Sequence, residues 1–304
     1  MEKPGGNMRP KAVAILSTGE MGHAIAGVLG ENGLRVLTVL QGRSQRTRDL
    51  AAKSGVSDLP TMEELVAASD IVFSVVVPSA APSVASAIAA AANKTGKPVL
   101  YVDLNAISPM TSTAIGEVLS AAGGRYVDGC IIGASSKLKI KTTFYVSGPH
   151  ASEFMVLSDF GLRVELLGDR VGQASAFKMI YAGLTKGLSA LSAELLLTAY
   201  SLGIMDQIVE RYRKSYPEVV AFMESNFPRL PFRAGRRSEE MEELSETIRA
   251  AGLEPFMAPA SKRMLRSIGD LNLRSAYSDA DEATWNIADV MEILHFRLVK
   301  ENKK

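Results

Sequence analysis

An apolar, β-branched run, Ala12–Leu16, passes straight into Ser17-Thr-Gly19-Glu-Met-Gly22, and that turn opens a stretch of helical composition ending at Asn32. A strand that turns on glycines into a helix restricts the fold more than any other feature of this chain. Gly19 lets a backbone approach a pyrophosphate with no Cβ in the way, and Gly22 lets the first helix pack closely on the sheet. The N–H groups at the helix start favour phosphate charge. The pattern is G-x-G-x-x-G with Ser17 in place of the first glycine, so the candidate dinucleotide-contacting set is Ser17, Thr18, Gly19, Glu20, Met21 and Gly22. The bland alternative is an ordinary tight strand–helix turn, toward which the serine leans.

The first half of the chain repeats this alternation. Arg35–Leu40, Asp70–Val77, Val99–Leu104, Tyr126–Ile132, Thr142–Val146 and Val164–Leu167 read as strands. Between them, Thr61-Met-Glu-Glu64 is a capping box, Ser79–Ala92 is Ala-rich, and Ser108-Pro109 is an N-cap followed by a helix to Ala122. Strands that are apolar throughout and alternate with helices predict a parallel sheet covered on both faces, hence a doubly wound Rossmann-type α/β domain. After Gly168 the pattern changes to helices only: one long helix over Val171–Gly203, then breaks at Tyr216-Pro217, Phe227–Pro231, Gly252–Pro259 and Asn272–Ser278. The expected division is a tail over 1–7, a dinucleotide-binding domain over 8–168 and an all-α domain over 169–304, serving substrate and dimer formation.

Composition narrows the function classes. With 34 basic and 33 acidic residues in 304, no excess of positive charge is available for a polyanion, so nucleic acid is not an expected partner. The apolar runs are too short to span a membrane. One cysteine, Cys130, excludes an intrachain disulfide framework and fits a reducing compartment, so a cytoplasmic location is expected. Cys130 lies in an apolar run and reads as buried. His23, His150 and His295 are dispersed, and no metal site is expected. Trp285 reads as packing.

Which dinucleotide binds is decided after the second strand. NAD sites place a carboxylate there for the ribose 2′-OH. Here the sequence is Gln41-Gly42-Arg43-Ser44, with Arg46, Thr47 and Arg48 close behind. A guanidinium binds a 2′-phosphate with charge-assisted hydrogen bonds, so Gly42, Arg43 and Ser44 favour NADP, with NAD the alternative; the bland reading is a solvated helix start. Val77 and Pro78 end the strand that would line the ligand crevice. Asn105, in Asp103-Leu-Asn105-Ala-Ile-Ser108-Pro109, suits either a substrate oxygen or the nicotinamide, or a self-capped turn. Lys178, early in the long helix among Ala, Phe, Met, Ile and Tyr, is either an acid–base group or a snorkelling lysine.

Taken together, the Glu-Met-Gly loop, the Arg-Ser after strand two, Asp-Leu-Asn-Ala-Ile-Ser-Pro, the Gly-Ala-Ser loop and Gly172-Gln-Ala-x-x-x-Lys178 resemble the β-hydroxyacid dehydrogenase superfamily. That superfamily includes 3-hydroxyisobutyrate and 6-phosphogluconate dehydrogenases and the imine reductases. The resemblance extends over almost the whole chain and looks closest to a branch with its own phosphogluconate-dehydrogenase-like C-terminal domain. It implies that Lys178 is the general acid/base, that Gly133, Ala134 and Ser135 hold a substrate carboxylate, and that Asn105 is the polar residue after strand five. It also implies a homodimer whose cleft is shared between subunits. Two departures stand out. Ala182 replaces the asparagine common four residues after the lysine, leaving Tyr181 and Thr185 as the nearest polar groups on that face. The usual Lys-Asp-Leu stretch is absent, and the charged segment Arg233–Met241 stands near it, with Arg236 and Arg237 either attracting an acidic substrate or solvating a helix end. The expected function is hydride transfer between NADP and a small 3-hydroxy acid or related alcohol. The alternatives are imine reduction and, from another class, a non-catalytic NADP-binding sensor.

Overall fold

The structure is a computed structural model that describes residues 9–277 and 284–300. The tail expected over 1–7 lies outside the described residues, as does Ser278 at the end of the last expected break. Contacts divide the chain into two units, residues 1–179 and 180–304. The expected boundary near 168 marks the change from strands to helices, whereas the contact division falls farther on, inside the long helix.

The first unit is an eight-stranded sheet. Its strands are β1 (Ala12–Leu16), β2 (Arg35–Thr38), β3 (Ser57–Asp58), β4 (Ile71–Ser74), β5 (Leu100–Asp103), β6 (Arg125–Ile132), β7 (Thr143–Ser147) and β8 (Arg163–Gly168). The spatial order is β3-β2-β1-β4-β5-β6-β7-β8, so the chain reverses direction across the sheet at β1 and β4. That reversal is the switch point where doubly wound folds bind ligands. The helices are α1 (Glu20–Glu31), α2 (Gln45–Lys53), α3 (Met62–Ala68), α4 (Ala81–Thr95), α5 (Pro109–Ala121) and α6 (Ala151–Phe154).

The apolar strand runs divide between two faces. Val13 and Ile15 pack on one side with Ile25, Leu29, Phe73 and Phe154, while Ala14 and Leu16 pack on the other with Leu37, Ile88, Tyr101 and Ile115. Each fully buried Leu, Ile or Phe contributes about 1.5–3 kcal/mol, so a sheet covered on both faces needs strands without a polar side.

The expectation of a wholly parallel sheet is corrected at β7, which pairs antiparallel with β6. The chain between them, residues 133–142, is too short for a helical crossover and must turn back. β3 is only two residues long and gives no apolar run to read. β4 ends at Ser74, short of the expected Val77, because the amide of Val76 is taken by Asn105 and leaves the ladder. Of the capping box, the Thr61 arm forms: its hydroxyl accepts from Glu64 N at 3.1 Å.

The long helix α7 (Gln173–Ser201) starts in the first unit and continues into the second. The second unit adds α8 (Met205–Ser215), α9 (Pro217–Asn226), α10 (Leu230–Ala250), α11 (Met257–Gly269) and α12 (Ile287–His295). Gly203, at φ +71°, ends the run into α7 in the left-handed conformation that glycine adopts without strain. α10 and α11 touch backbone to backbone: a Cβ on Gly269 would lie 2.6 Å from Gly235 N. Trp285 packs between Phe232 and Tyr277, with ring centroids 5.1 and 4.9 Å away. No helix among the described residues is long and apolar enough to cross a membrane.

Candidate active site

Strand register sets the floor of the site. Leu16 pairs with Ser74, Ser74 with Asp103, Asp103 with Asp128, and Asp128 with Ser147, forming one row across five strands. The loops that carry the candidate residues rise from this row.

The turn after β1 adopts the conformation of a glycine turn although its first position is serine. Ser17 has φ +78°, a left-handed value that costs an L-residue roughly 1 kcal/mol. Gly22 is sterically obligatory, since a Cβ there would stand 2.1 Å from the Ser17 carbonyl oxygen. Gly19 is different: its Cβ would meet only the Ser17 hydroxyl, at 3.8 Å. The helix start is therefore packed on its sheet side and open at Gly19, which is what a pyrophosphate requires. No side chain caps α1. Thr18 is buried and donates to the Thr47 carbonyl, tying the turn to α2.

At the end of β2, Gly42 is left-handed (φ +71°) and Arg43 N closes the turn on the Leu40 carbonyl at 3.1 Å. Ser44 is the N-cap of α2, accepting from Thr47 N. A carboxylate does reach this region, from β3 and not from β2. Asp58 accepts the Leu40 amide at 2.8 Å.

Val77 is exposed and Pro78 begins a 3-10 turn. Asn105 is 2% exposed, and its amide bridges strand ends: Oδ1 accepts from Val76 N at 2.6 Å and Nδ2 donates to the Ser74 hydroxyl at 2.9 Å. Its first duty is internal, and a bound molecule would have only its second N–H and second lone pair. The residue making the self-capped turn is Asp103, which accepts from Asn105 N.

Gly133 has φ +138°, and a Cβ there would lie 2.3 Å from the Thr142 hydroxyl, so this position tolerates glycine alone. Ala134 follows, and its carbonyl accepts from the Thr142 hydroxyl. Ser135 donates to the Glu20 carboxylate at 3.3 Å, which brings the Gly133–Ser135 loop against the start of α1. Lys178 Nζ donates to the Ile131 carbonyl at 2.6 Å, two residues before Gly133. The first unit thus gathers the glycine turn, the Gly133–Ser135 loop and Lys178. Tyr181 and Thr185 lie one and two turns further along α7, in the second unit. Tyr181 is exposed, and the Thr185 hydroxyl donates to the Ala182 carbonyl.

The sequence reading missed what holds α7. Asp128 is fully buried and accepts six hydrogen bonds. The donors are the hydroxyls of Ser112, Ser147 and Ser175 and the amides of Gly172, Ala174 and Ser175. Gly172 has no side chain to cap α7, so a strand carboxylate does it. The signal was present: one aspartate in the apolar run Tyr126–Ile132 has to find donors somewhere. Its neighbour Asp103 has one carboxylate oxygen, Oδ2, with no partner. Burial, reinforced by Asp128, pushes its pKa up to about 7 against the hydrogen bonds from Asn105. Cys130 is buried as expected, and burial pushes its thiol up to about 12.

A dinucleotide-type turn at the switch point of a doubly wound sheet, with a lysine helix beside it, defines an oxidoreductase of the β-hydroxyacid dehydrogenase type. Comparisons agree. A family model described as NADP oxidoreductase, coenzyme F420-dependent, matches residues 12–106, and a domain of unknown function, DUF1932, matches 199–268. An uncharacterized 28.5 kDa protein of Methanothermus fervidus is 31% identical over 259 residues, covering 84% of this chain and 98% of its own. The conserved protein MTH1747, of unknown function and structurally similar to 3-hydroxyacid dehydrogenases, is 32% identical at a TM-score of 0.62, covering 86% of this chain and 98% of that one. The Mycobacterium tuberculosis 3-hydroxyisobutyrate dehydrogenase shares the fold at 17% identity and TM-score 0.64, over 93% and 99% of the two chains. Imine reductases share it at TM-scores of 0.51 to 0.57. The chain belongs to the family of the Methanothermus fervidus protein, within the β-hydroxyacid dehydrogenase superfamily.

Proposed function

We propose that this chain transfers a hydride between NADP and a small 3-hydroxy acid or related alcohol, with Lys178 as the proton-transferring group. The observation that carries the reading is the lysine's anchorage on the Ile131 carbonyl, at the mouth of the strand whose next turn reaches α1 through Ser135 and Glu20. When bound, the nicotinamide supplies or accepts the hydride, and the chain supplies placement and electrostatics. Lys178 takes the substrate's hydroxyl proton in one direction and returns it in the other. Gly133, Ala134 and Ser135 hold an acid group; Tyr181 and Thr185 orient the rest; Asn105 fixes the ends of β4 and β5 beneath. Preference for NADP over NAD rests on Arg43, aided by the positive end of α2 just after Ser44. Ile180, Leu184, Leu191 and Leu195 are exposed along α7, an apolar stripe suited to a second copy of the chain.

A second reading, imine reduction, draws on one observation. Ala182, a turn after Lys178, is buried and has no group to hold a substrate hydroxyl. Reduction of a C=N bond needs a proton donor and no such holder.

NADPH oxidation measured over 3-keto acids and cyclic imines separates the two substrates. In either case Lys178→Ala lowers kcat by roughly 10²–10⁴-fold with NADP affinity unchanged. Lys178→Arg rescues poorly, because a guanidinium does not release its proton. Near-wild-type turnover in Lys178→Ala, with the pH profile intact, overturns the mechanism.

A further inference from the structure

Two carboxyl groups lie side by side in the floor of the site, and they are treated differently. Asp103 and Asp128 are register partners on β5 and β6, and both are buried. Asp128 accepts from six donors, as an ionised carboxylate does. Asp103 accepts one hydrogen bond, from Asn105 N to Oδ1 at 2.8 Å, and its Oδ2 has no partner. A second buried anion beside Asp128, with one oxygen bare, is unfavourable, so Asp103 retains a proton that Asp128 gives up. Burial, reinforced by Asp128, pushes its pKa up to about 7. The other titratable groups facing it are Tyr101 on its own strand and Tyr126 on β6, whose phenols burial pushes well above their ordinary range. Its neighbour on β4 is the uncharged Ser74. Among these groups Asp103 alone changes charge near neutral pH.

Its position gives that charge a target. Leu16, Ser74 and Asp103 are register partners on β1, β4 and β5, so Asp103 lies two strands from the glycine turn. It holds the Asn105 amide, and the Asn105 side chain in turn ties Val76 to Ser74 at the switch point. A dinucleotide crosses a doubly wound sheet at that point, with one half on each side. With the adenosine half toward β2 and Arg43, the nicotinamide half lies toward β4 and β5. A nicotinamide ring is cationic when oxidised and neutral when reduced. An ionised Asp103 beneath it attracts the first and leaves the second unaffected. We propose that Asp103 is a positioning residue for the nicotinamide half and that it also sets the choice between oxidised and reduced cofactor: it holds Asn105 in place, and loss of its proton favours NADP+ over NADPH. The inference rests on the nicotinamide-cofactor reading above and adds to it a residue that discriminates the two redox forms.

The test is titration calorimetry with NADP+ and with NADPH from about pH 6 to about pH 8.5. The Lys178→Ala protein is the background, so that titration of the lysine does not contribute. NAD+ and NADH take their place if the NADP forms do not bind. The ratio of the two affinities cancels what both forms share, including the 2′-phosphate and any change in the fold. Across that range the ratio is expected to move about three- to tenfold toward the oxidised form. Asp103→Asn keeps an acceptor for Asn105 N and cannot ionise, so its ratio stays flat. A residue with a structural role alone would change both affinities together. At about pH 7, in buffers of different ionisation heat, the oxidised form releases about a quarter to a half of a proton more than the reduced form. That measurement needs no variant at 103 and keeps the test valid if Asp103→Asn does not fold. Absence of binding by both cofactor pairs overturns the cofactor reading together with the inference. Binding with a pH-independent ratio, a slope that survives in Asp103→Asn, or equal proton release by the two forms overturns the inference alone.

Discussion

Two helices begin at the carboxyl edge of the same sheet and are finished in opposite ways. At α7, the amides of Gly172, Ala174 and Ser175 converge on the buried carboxylate of Asp128. At α1, no side chain caps the helix, and a Cβ on Gly19 would find nothing nearer than the Ser17 hydroxyl at 3.8 Å. Both ends carry the same partial positive charge from their backbone dipoles. One is neutralised from within and becomes a fixed mount for Lys178. The other has no side-chain cap, and under the proposed function it receives an anion from outside. A helix start is thus made structural or ligand-binding by whether the fold brings its own carboxylate to it.

The largest expected effect comes from opening the closed end. Asp128→Asn removes the charge that six donors share, and should lower the unfolding free energy in urea by about 3–5 kcal/mol, the range for breaking a buried charge partnership. Because Lys178 sits less than two turns into α7, kcat should fall with it, while NADP affinity, which the proposed function places at α1, should hold. A loss below about 1 kcal/mol, the worth of one ordinary hydrogen bond, would mean that the carboxylate does not close α7.

The neighbour in the row tests the same contrast through pH. Asp103 has a folded-state pKa of about 7 against an ordinary 3.8, so the native protein binds a proton that the unfolded chain releases. Stability from this group is therefore greatest below about pH 4, declines as pH rises, and has reached its lower limit above about pH 7. Between pH 5 and pH 8 the loss should be on the order of 2–3 kcal/mol, and Asp103→Asn should remove that slope. The same slope in both proteins would show that Asp103 stays ionised throughout, as a well-solvated carboxylate does.

At the open end, two glycines three residues apart should behave differently. Gly22→Ala places a methyl against the Ser17 carbonyl and should cost about 1–3 kcal/mol of stability. Gly19→Ala fits its backbone, at φ −70°, and should leave stability within about 0.5 kcal/mol. It should still weaken NADP about tenfold by occupying the phosphate's approach. Equal stability losses would mean that the turn is merely tight on both sides, with no space kept for a ligand.

What could be read in the sequence follows the range of the interactions. The strand–turn–helix at Ala12–Asn32, the Ser108 cap and the length of α7 depend on neighbours in the chain, and local residue types announce them. The antiparallel β7 depends on a connection length, and β3 on pairing with β2, so neither shows in a local pattern. The candidate site divides in the same way. Gly22 was legible because its steric demand falls on a single residue, whereas Gly19 was read from the glycine motif and Gly133 only from the family resemblance. The Asp128 cap joins positions more than forty residues apart, and only the register of β6 against α7 brings them together. Asn105 was legible as a polar residue at a strand end, but its internal bridge to Val76 and Ser74 needed the parallel pairing of β4 and β5.

The smallest expected effect concerns the one position where the open end departs from the glycine pattern. Ser17 already holds φ +78°, so the turn has the glycine conformation and bears the strain of a side chain in it. Ser17→Gly removes that strain, roughly 1 kcal/mol, and restores some backbone freedom to the unfolded chain, which offsets part of the gain. The net should be a stabilisation of about 0.5 kcal/mol, with NADP affinity unchanged because the turn does not move. Thermal unfolding with and without NADP reads both quantities. A variant that is more stable but binds NADP several-fold more weakly would make the Ser17 hydroxyl a ligand to the dinucleotide. The open end would then be one that the chain fills in part with its own polar group. A variant that is less stable would mean that the hydroxyl holds the turn itself, and the contrast between an open α1 and a closed α7 would be one of degree.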